Sequence, residues 1–291
     1  MKKLISVILT IVLILSIILF WKIKNNDEKL YGLTIDDSWY DNVSIEEIVS
    51  SLKNFKVKPT VRIVMSKDTH PKEYIEIFRE IHEVAYIMAE PVDSYEMNLY
   101  KDVESYRNRF LQSDKYLGKY VDIWEIGNEI NGVEWIRQSD KLIIKKVMAA
   151  HDVFEGTDKK TAITFYYENP SHNRDMIRWI RENVSLKIRK EIDYVFISYY
   201  EDDNEGYNPD WQKLITEFQT LFPDSKIGIG ECGNTANTAN INSKIEMINK
   251  YYKMPFFTKN YIGGYFWWNY VADCIPHREN KIYKAIYDNF K

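Results

Sequence analysis

The sequence predicts an α/β protein built as a single (β/α)8 barrel, the TIM-barrel architecture. Three observations carry that expectation. Short apolar runs alternate strictly with longer amphipathic runs, eight of each, from about residue 30 onward. The apolar runs are nearly continuous, which marks strands buried on both faces of a parallel sheet. Residues 30–291 also match the usual size of such a barrel, about 250 residues. A doubly wound open sheet is the alternative. It would want a glycine-rich phosphate turn after an early strand, and Asp36-Asp37-Ser38 stands there instead. The sequence contains no internal repeat, no low-complexity tract and no second domain.

The elements follow in order. The first strand is expected over 31–35. A helix starts at Ser44, because Ser44 and Glu47 form a capping-box pair and Ile45, Ile48, Val49 and Leu52 share one face. The second strand covers 60–65. Pro71 suits a first helical turn, after which Tyr74, Ile75, Phe78 and Ile81 face inward. The third strand covers 84–89 and precedes one long polar helical stretch over 94–117. The fourth strand, 121–126, leads to a helix over 139–154, and the fifth, 161–167, to a helix over 173–184. The sixth strand is 194–199, and Pro209 opens a helix ending near 222. The seventh strand, 227–230, precedes a helix over 242–252, and the eighth, 264–268, precedes the last helix over 281–290.

The N-terminus stands apart. Lys2 and Lys3 precede an uncharged, mostly apolar run over 4–21, and Lys22 and Lys24 follow it. The run is longer than a secretory h-region and just reaches the length of a transmembrane helix. No small-x-small cleavage site follows. Residues 1–29 therefore read as an uncleaved signal anchor with a short linker, and 30–291 as the barrel domain. A cleaved signal peptide is the alternative. The first reading places the barrel outside the cytoplasm and tethered to the membrane, the second releases it.

The net charge is −4 with both signs dispersed, which excludes the basic footprint of a nucleic-acid binder. The five histidines show no metal-ligand spacing, so neither a catalytic metal nor another cofactor is expected. A monomer is expected. Cys232 and Cys274 fall near the ends of the seventh and eighth strands. A disulfide and two free, partly buried thiols both remain open.

The chemistry concentrates at two strand ends. Residues 121–132 read VDIWEIGNEING, an apolar strand running into Asn128-Glu129, and 226–233 read KIGIGECG, with Glu231. A carboxyl placed where a buried strand meets solvent can have its pKa raised and so donate a proton at neutral pH. In a barrel the active site lies at the C-terminal ends of the strands, so Glu129 and Glu231 share one mouth. Two such carboxyls suit glycosidic cleavage, about 5–5.5 Å apart for retention and about 6.5–9.5 Å for inversion. The many Tyr and Trp residues, 22 and 8, suit stacking on sugar rings as well as a core.

This pattern resembles clan A, the large clan of retaining glycoside hydrolases built on (β/α)8 barrels, over the whole of 30–290. That clan carries Asn-Glu after the fourth strand and a nucleophilic Glu after the seventh. The resemblance is nearest to family 5, the cellulase family, through TVRIVM at 60–65, ISYYED at 197–202 and YFWWNY at 265–270. It implies Glu129 as acid and then base, Glu231 as nucleophile, and Asn128 bonded to a sugar 2-hydroxyl. It further implies Arg62 and Tyr200 as contacts of the nucleophile and Trp268 under the sugar at the cleavage point. A guanidinium beside Glu231 would hold it ionised and fixed in direction. Strand alternation lets only one of Trp267 and Trp268 face the site.

Two departures matter. The family 5 histidine on the sixth strand is Ser198, and the IMAEPVDS stretch at 87–94 lacks the histidine often found after the third strand. Glu90, Asp36 and Asp37 are candidate replacements or solvated loop residues, with Asp37 read as solvated. The implied activity is endo-cleavage of a β-1,4-glucan by double displacement, with a β-mannanase or β-galactanase as the enzymatic alternatives. A non-catalytic glycan-binding barrel would keep the aromatics and lose one glutamate, whereas both are present.

Overall fold

The computed structural model describes residues 29–39 and 43–291. Tyr31–Lys291 form one compact unit. The expected signal anchor lies outside the described residues apart from Lys29. Among the described residues no helix is long and apolar enough to cross a membrane.

Eight strands close into a barrel in sequence order: β1 (Leu30–Ile35), β2 (Thr60–Val64), β3 (Tyr86–Glu90), β4 (Ile123–Gly127), β5 (Lys160–Tyr166), β6 (Tyr194–Ser198), β7 (Lys226–Gly233) and β8 (Tyr261–Trp268). Consecutive strands from β1 to β8 pair in parallel. Side chains alternate across each strand. On β2, Val61 and Ile63 join the main apolar core, while Arg62 between them meets carboxylates from three other strands. Both faces are covered, so the strands read as continuous apolar runs.

The two sides of the sheet are filled differently. Outside, Trp124 stacks on Phe154 of the helix Asp140–Phe154, with ring centroids 5.2 Å apart. Tyr106, on the helix Val103–Leu117, donates its hydroxyl to the Ile126 carbonyl at 2.9 Å. Inside, Phe196 and Phe266 meet edge to face at 5.5 Å. A Cβ at Gly32 would lie 2.5 Å from the Phe266 ring, so the missing side chain at 32 makes room for that ring.

The element order follows the expectation, with differences that have local causes. The Ser44–Glu47 capping box forms on the helix Ile45–Lys53. Pro71 opens a 3-10 turn, Pro71–Tyr74, ahead of the helix Ile75–His82, and Ile77 rather than Ile75 is fully buried. The third strand starts late because the Val84 and Ala85 N–H groups close the preceding helix onto the Ile81 carbonyl. The stretch 94–117 is not continuous. A 3-10 segment, Ser94–Leu99, is separated from the helix Val103–Leu117 by Asp102, whose extended backbone and side chain cap that helix through Ser105. The seventh strand runs on through Glu231 to Gly233. Short helices at Val133–Ile136, Leu186–Glu191 and Tyr270–Cys274 are additional, each too brief to leave a periodic signal. Cys232 and Cys274 are both buried and free, which decides between the two readings left open.

Candidate active site

The mouth formed by the strand ends is built on a strained turn. Glu129, two residues after the end of β4, has φ 45°. A left-handed conformation costs a non-glycine residue on the order of 1–2 kcal/mol, and such strain persists only where the surroundings enforce it. Here the Gly132 N–H donates to the Glu129 carbonyl at 2.7 Å, and the Ile130 N–H donates to the Thr164 carbonyl at 3.3 Å. The turn sets the Glu129 side chain in the same cleft as Glu231.

Glu231 is clamped on both oxygens. The Tyr200 hydroxyl donates to Oε1 at 2.6 Å, and Arg62 Nη1 donates to Oε2. Arg62 is shared. Its Nε donates to Glu125 Oε2 at 2.7 Å, and its Nη2 lies 2.9 Å from Glu90 Oε2 in an ion pair that lacks hydrogen-bond alignment. Glu125 also accepts from the Thr164 hydroxyl. Arg62 therefore contacts Glu231, as the resemblance implies, and also anchors two interior carboxylates. Glu90 is fully buried, not a solvated loop residue, and burial pushes its carboxyl well above the usual range. Asp37 departs from its expected solvated state. It is half-buried and accepts from the Tyr74 hydroxyl at 2.9 and 3.1 Å.

Glu129 is held by two serines. Ser198 Oγ donates to Oε1 at 2.6 Å, and Ser94 Oγ lies 3.3 Å from Oε2. Ser198 ends β6 and Ser94 opens the 3-10 segment that follows β3, where the histidines of the resemblance are missing. Burial pushes the Glu129 carboxyl well above the usual carboxylate range, and the nearby Glu231 charge adds to that. Burial also raises Asp93, to about 6. An acid that keeps its proton near a clamped carboxylate is an arrangement able to protonate a leaving group while a nucleophile attacks.

The cleft has a volume of about 520 Å³. Tyr95, Trp135, Tyr166 and Trp268 supply aromatic surface along it. Asn128 is only 2% exposed, and its Oδ1 has no hydrogen-bond partner in the protein. Trp268 borders the cleft, whereas Trp267 is buried and donates its indole N–H to Asp273 at 2.9 Å. Arg174 bridges Glu134 and Glu168 at the rim. A second hollow of about 550 Å³ opens farther out, between the helices Met176–Asn183 and Trp211–Leu221. The charged pair Arg181–Glu217, 2.9 Å apart, borders it, and neither Glu129 nor Glu231 does.

Six of the residues named from the sequence thus gather at one site: Glu129, Glu231, Arg62, Asn128, Tyr200 and Trp268. Glu125, Ser94, Tyr95 and Trp135 were not singled out. Glu125 carried a usable signal, a lone charge inside an apolar strand. Ser94, Tyr95 and Trp135 carried none, because a short 3-10 segment and a single-turn helix bring them in.

No protein-family model matches the chain, and no curated protein matches it. Solved structures do. The Ignisphaera aggregans GH53 catalytic domain is similar at 14% identity, with 85% of this chain and 86% of that one covered and a TM-score of 0.51. A mutant of the rice β-glucosidase in a covalent complex with glucose is similar at 10% identity, covering 83% and 89%, with a TM-score of 0.58. Saccharomyces cerevisiae Gas2p, in complex with laminaritriose and laminaritetraose, is similar at 13% identity with a TM-score of 0.54. The match covers 90% of this chain but 64% of Gas2p. At these identities the likeness establishes the (β/α)8 barrel fold that the chain shares with structures named as glycoside hydrolases.

Proposed function

We propose that the protein is a retaining glycoside hydrolase that cleaves β-1,4-linked glucan internally, in the manner of the family 5 cellulases. The observation that carries this reading is the unequal treatment of the two glutamates. Glu231 receives a donor on each oxygen, from Tyr200 and Arg62, while burial keeps the proton on Glu129. Glu231 attacks the anomeric carbon, and the electron pair of the breaking bond leaves with the glycosidic oxygen as Glu129 protonates it. Glu129 then takes a proton from water, which attacks the glycosyl-enzyme and releases Glu231. Once Glu231 is esterified its charge is gone, so the Glu129 pKa falls in time for the base step. Asn128, with its free Oδ1, is suited to accept from the 2-hydroxyl. Trp268 supplies the face under the reacting sugar.

A β-mannanase or β-galactanase keeps the same machinery. A β-1,3-glucan substrate is also a reading to test, because the similar Gas2p binds laminari-oligosaccharides. We place the barrel outside the cytoplasm, tethered through residues 1–29 or secreted after their cleavage. The test is time-resolved product analysis on cello-, manno-, galacto- and laminari-oligosaccharides. Hydrolysis with retained anomeric configuration, lost in both Glu129→Ala and Glu231→Ala, is the expected result. Activity surviving in either variant overturns the assignment.

A further inference from the structure

We propose that Trp135, acting through Ser94, positions the Glu129 carboxyl and couples proton delivery to a sugar unit bound on the leaving-group side of the cleft. The inference rests on the glycosidase reading of Glu129 and adds a positioning role and a binding surface to it. Two contacts form a chain. The Trp135 indole N–H donates to Ser94 Oγ at 3.1 Å, and Ser94 Oγ is 3.3 Å from Glu129 Oε2. Because the indole N–H occupies an acceptor site of the serine, the single serine proton is left to point at the carboxyl. Ser198 holds the other oxygen from β6 at 2.6 Å.

The indole is itself placed by its neighbours. A Cβ at Gly132 would fall 2.0 Å from the Trp135 ring, so the ring lies directly on that backbone. Trp135 stacks on Tyr95 with centroids 6.3 Å apart and meets Tyr166 edge-on at 5.3 Å. Tyr95 is 68% exposed, an unusual state for a large ring and one suited to carrying a pyranose face. This platform flanks Glu129 from the β3 and β4 loops, while Glu231 and Trp268 border the cleft from β7 and β8. A general acid must lie within hydrogen-bond reach of the departing oxygen, so the platform beside it takes the departing sugar. A sugar pressing on Trp135 fixes the indole, the indole fixes Ser94, and Ser94 fixes the acid.

Glu231, Asp93 and Arg62 are the charged groups facing Glu129, and Tyr95, Tyr166 and Tyr200 the phenols. The serine donors favour the ionised carboxyl, so removing one raises its pKa. Two measurements test the coupling on wild type, Ser94→Ala, Trp135→Phe, Gly132→Ala and the Ser94→Ala/Trp135→Phe double variant. The first is titration of the Glu129 carboxyl carbon by 13C NMR, which requires no substrate. The second is kcat/KM against pH on cellotetraose and on 2,4-dinitrophenyl β-cellobioside, whose leaving group needs no proton, or on the corresponding pair of whichever sugar wild type cleaves.

The expected result is an upward shift of the Glu129 titration and of the alkaline limb in each single variant. Cleavage of the tetrasaccharide falls about tenfold, the worth of one hydrogen bond, while the dinitrophenyl glycoside changes less than about twofold. The double variant matches Ser94→Ala, as a serial chain requires. A wild-type titration in Trp135→Phe, additive effects in the double variant, or equal losses on both substrates overturn the proposal. A wild-type protein that cleaves no glycoside refutes the glycosidase reading, and the carbon titration still decides the relay.

Discussion

Replacing Arg62 by Met removes the one cation that three carboxylates share. Glu231 borders the cleft and keeps its Tyr200 donor, and burial already holds Glu90 well above the usual range. The cost therefore falls mainly on Glu125, fully buried and left with Thr164 alone. Its ordinary value is 4.5. Forcing a proton onto such a group costs at most about 3.4 kcal/mol at pH 7 and about 0.7 kcal/mol at pH 5. The pH 7 figure agrees with the roughly 3–5 kcal/mol lost when one partner of a buried pair is removed. In the variant the Glu125 pKa lies above its unfolded value, so stability is intact at low pH and is lost as pH rises. Urea unfolding of wild type and Arg62→Met at pH 5 and pH 7 reads the difference directly. Burial already raises the Glu125 carboxyl in the wild type, so the gap between the two proteins should widen by at most about 2.7 kcal/mol across that interval. An equal gap at both pH values means that lost packing, not stranded charge, causes the instability, and the argument fails.

Two further outcomes follow from the same structure. Glu129→Gln should be more stable than wild type, increasingly so as pH rises above the ordinary carboxylate range. The Glu129 pKa is raised in the folded state, so wild type loses stability as pH climbs through that value, and glutamine has no proton to lose. Thermal midpoints at pH 5 and pH 8 measure this, and a constant offset contradicts it. Gly32→Ala drives a Cβ to 2.5 Å from the Phe266 ring and should cost about 1–3 kcal/mol in urea unfolding. Much of that loss should return in a Phe266→Leu background, and an undiminished loss there would locate the strain elsewhere.

The strand order was legible because parallel strands buried on both faces advertise themselves as apolar runs, and the Ser44–Glu47 box fixed a helix start outright. Once the strands were counted, Glu129 and Glu231 fell on one rim by arithmetic alone. Loops were the blind region. The stretch 94–117 has the composition of one helix, and the Asp102 cap that divides it competes with that composition through a single side-chain bond. That division makes Ser94–Leu99 a separate segment, with Ser94 beside Glu129. Ser198 was visible only as a missing histidine, because a hydroxyl bonded to a carboxyl across 69 positions of sequence leaves no periodic mark. Glu125 could have been found, since an apolar strand does not carry a charge without a partner.

The four-way contact around Arg62 also limits how the protein can change over generations. Arg62 lies on β2, Glu90 on β3, Glu125 on β4 and Glu231 on β7. Losing the arginine strands acids, and losing an interior acid alters the charge balance of the whole group. Descendants of this chain are expected to keep the four positions intact or exchange several at once. A lineage that loses Glu231 therefore has reason to retain Arg62 for the sake of Glu90 and Glu125, so the arginine alone is a poor marker of an intact site.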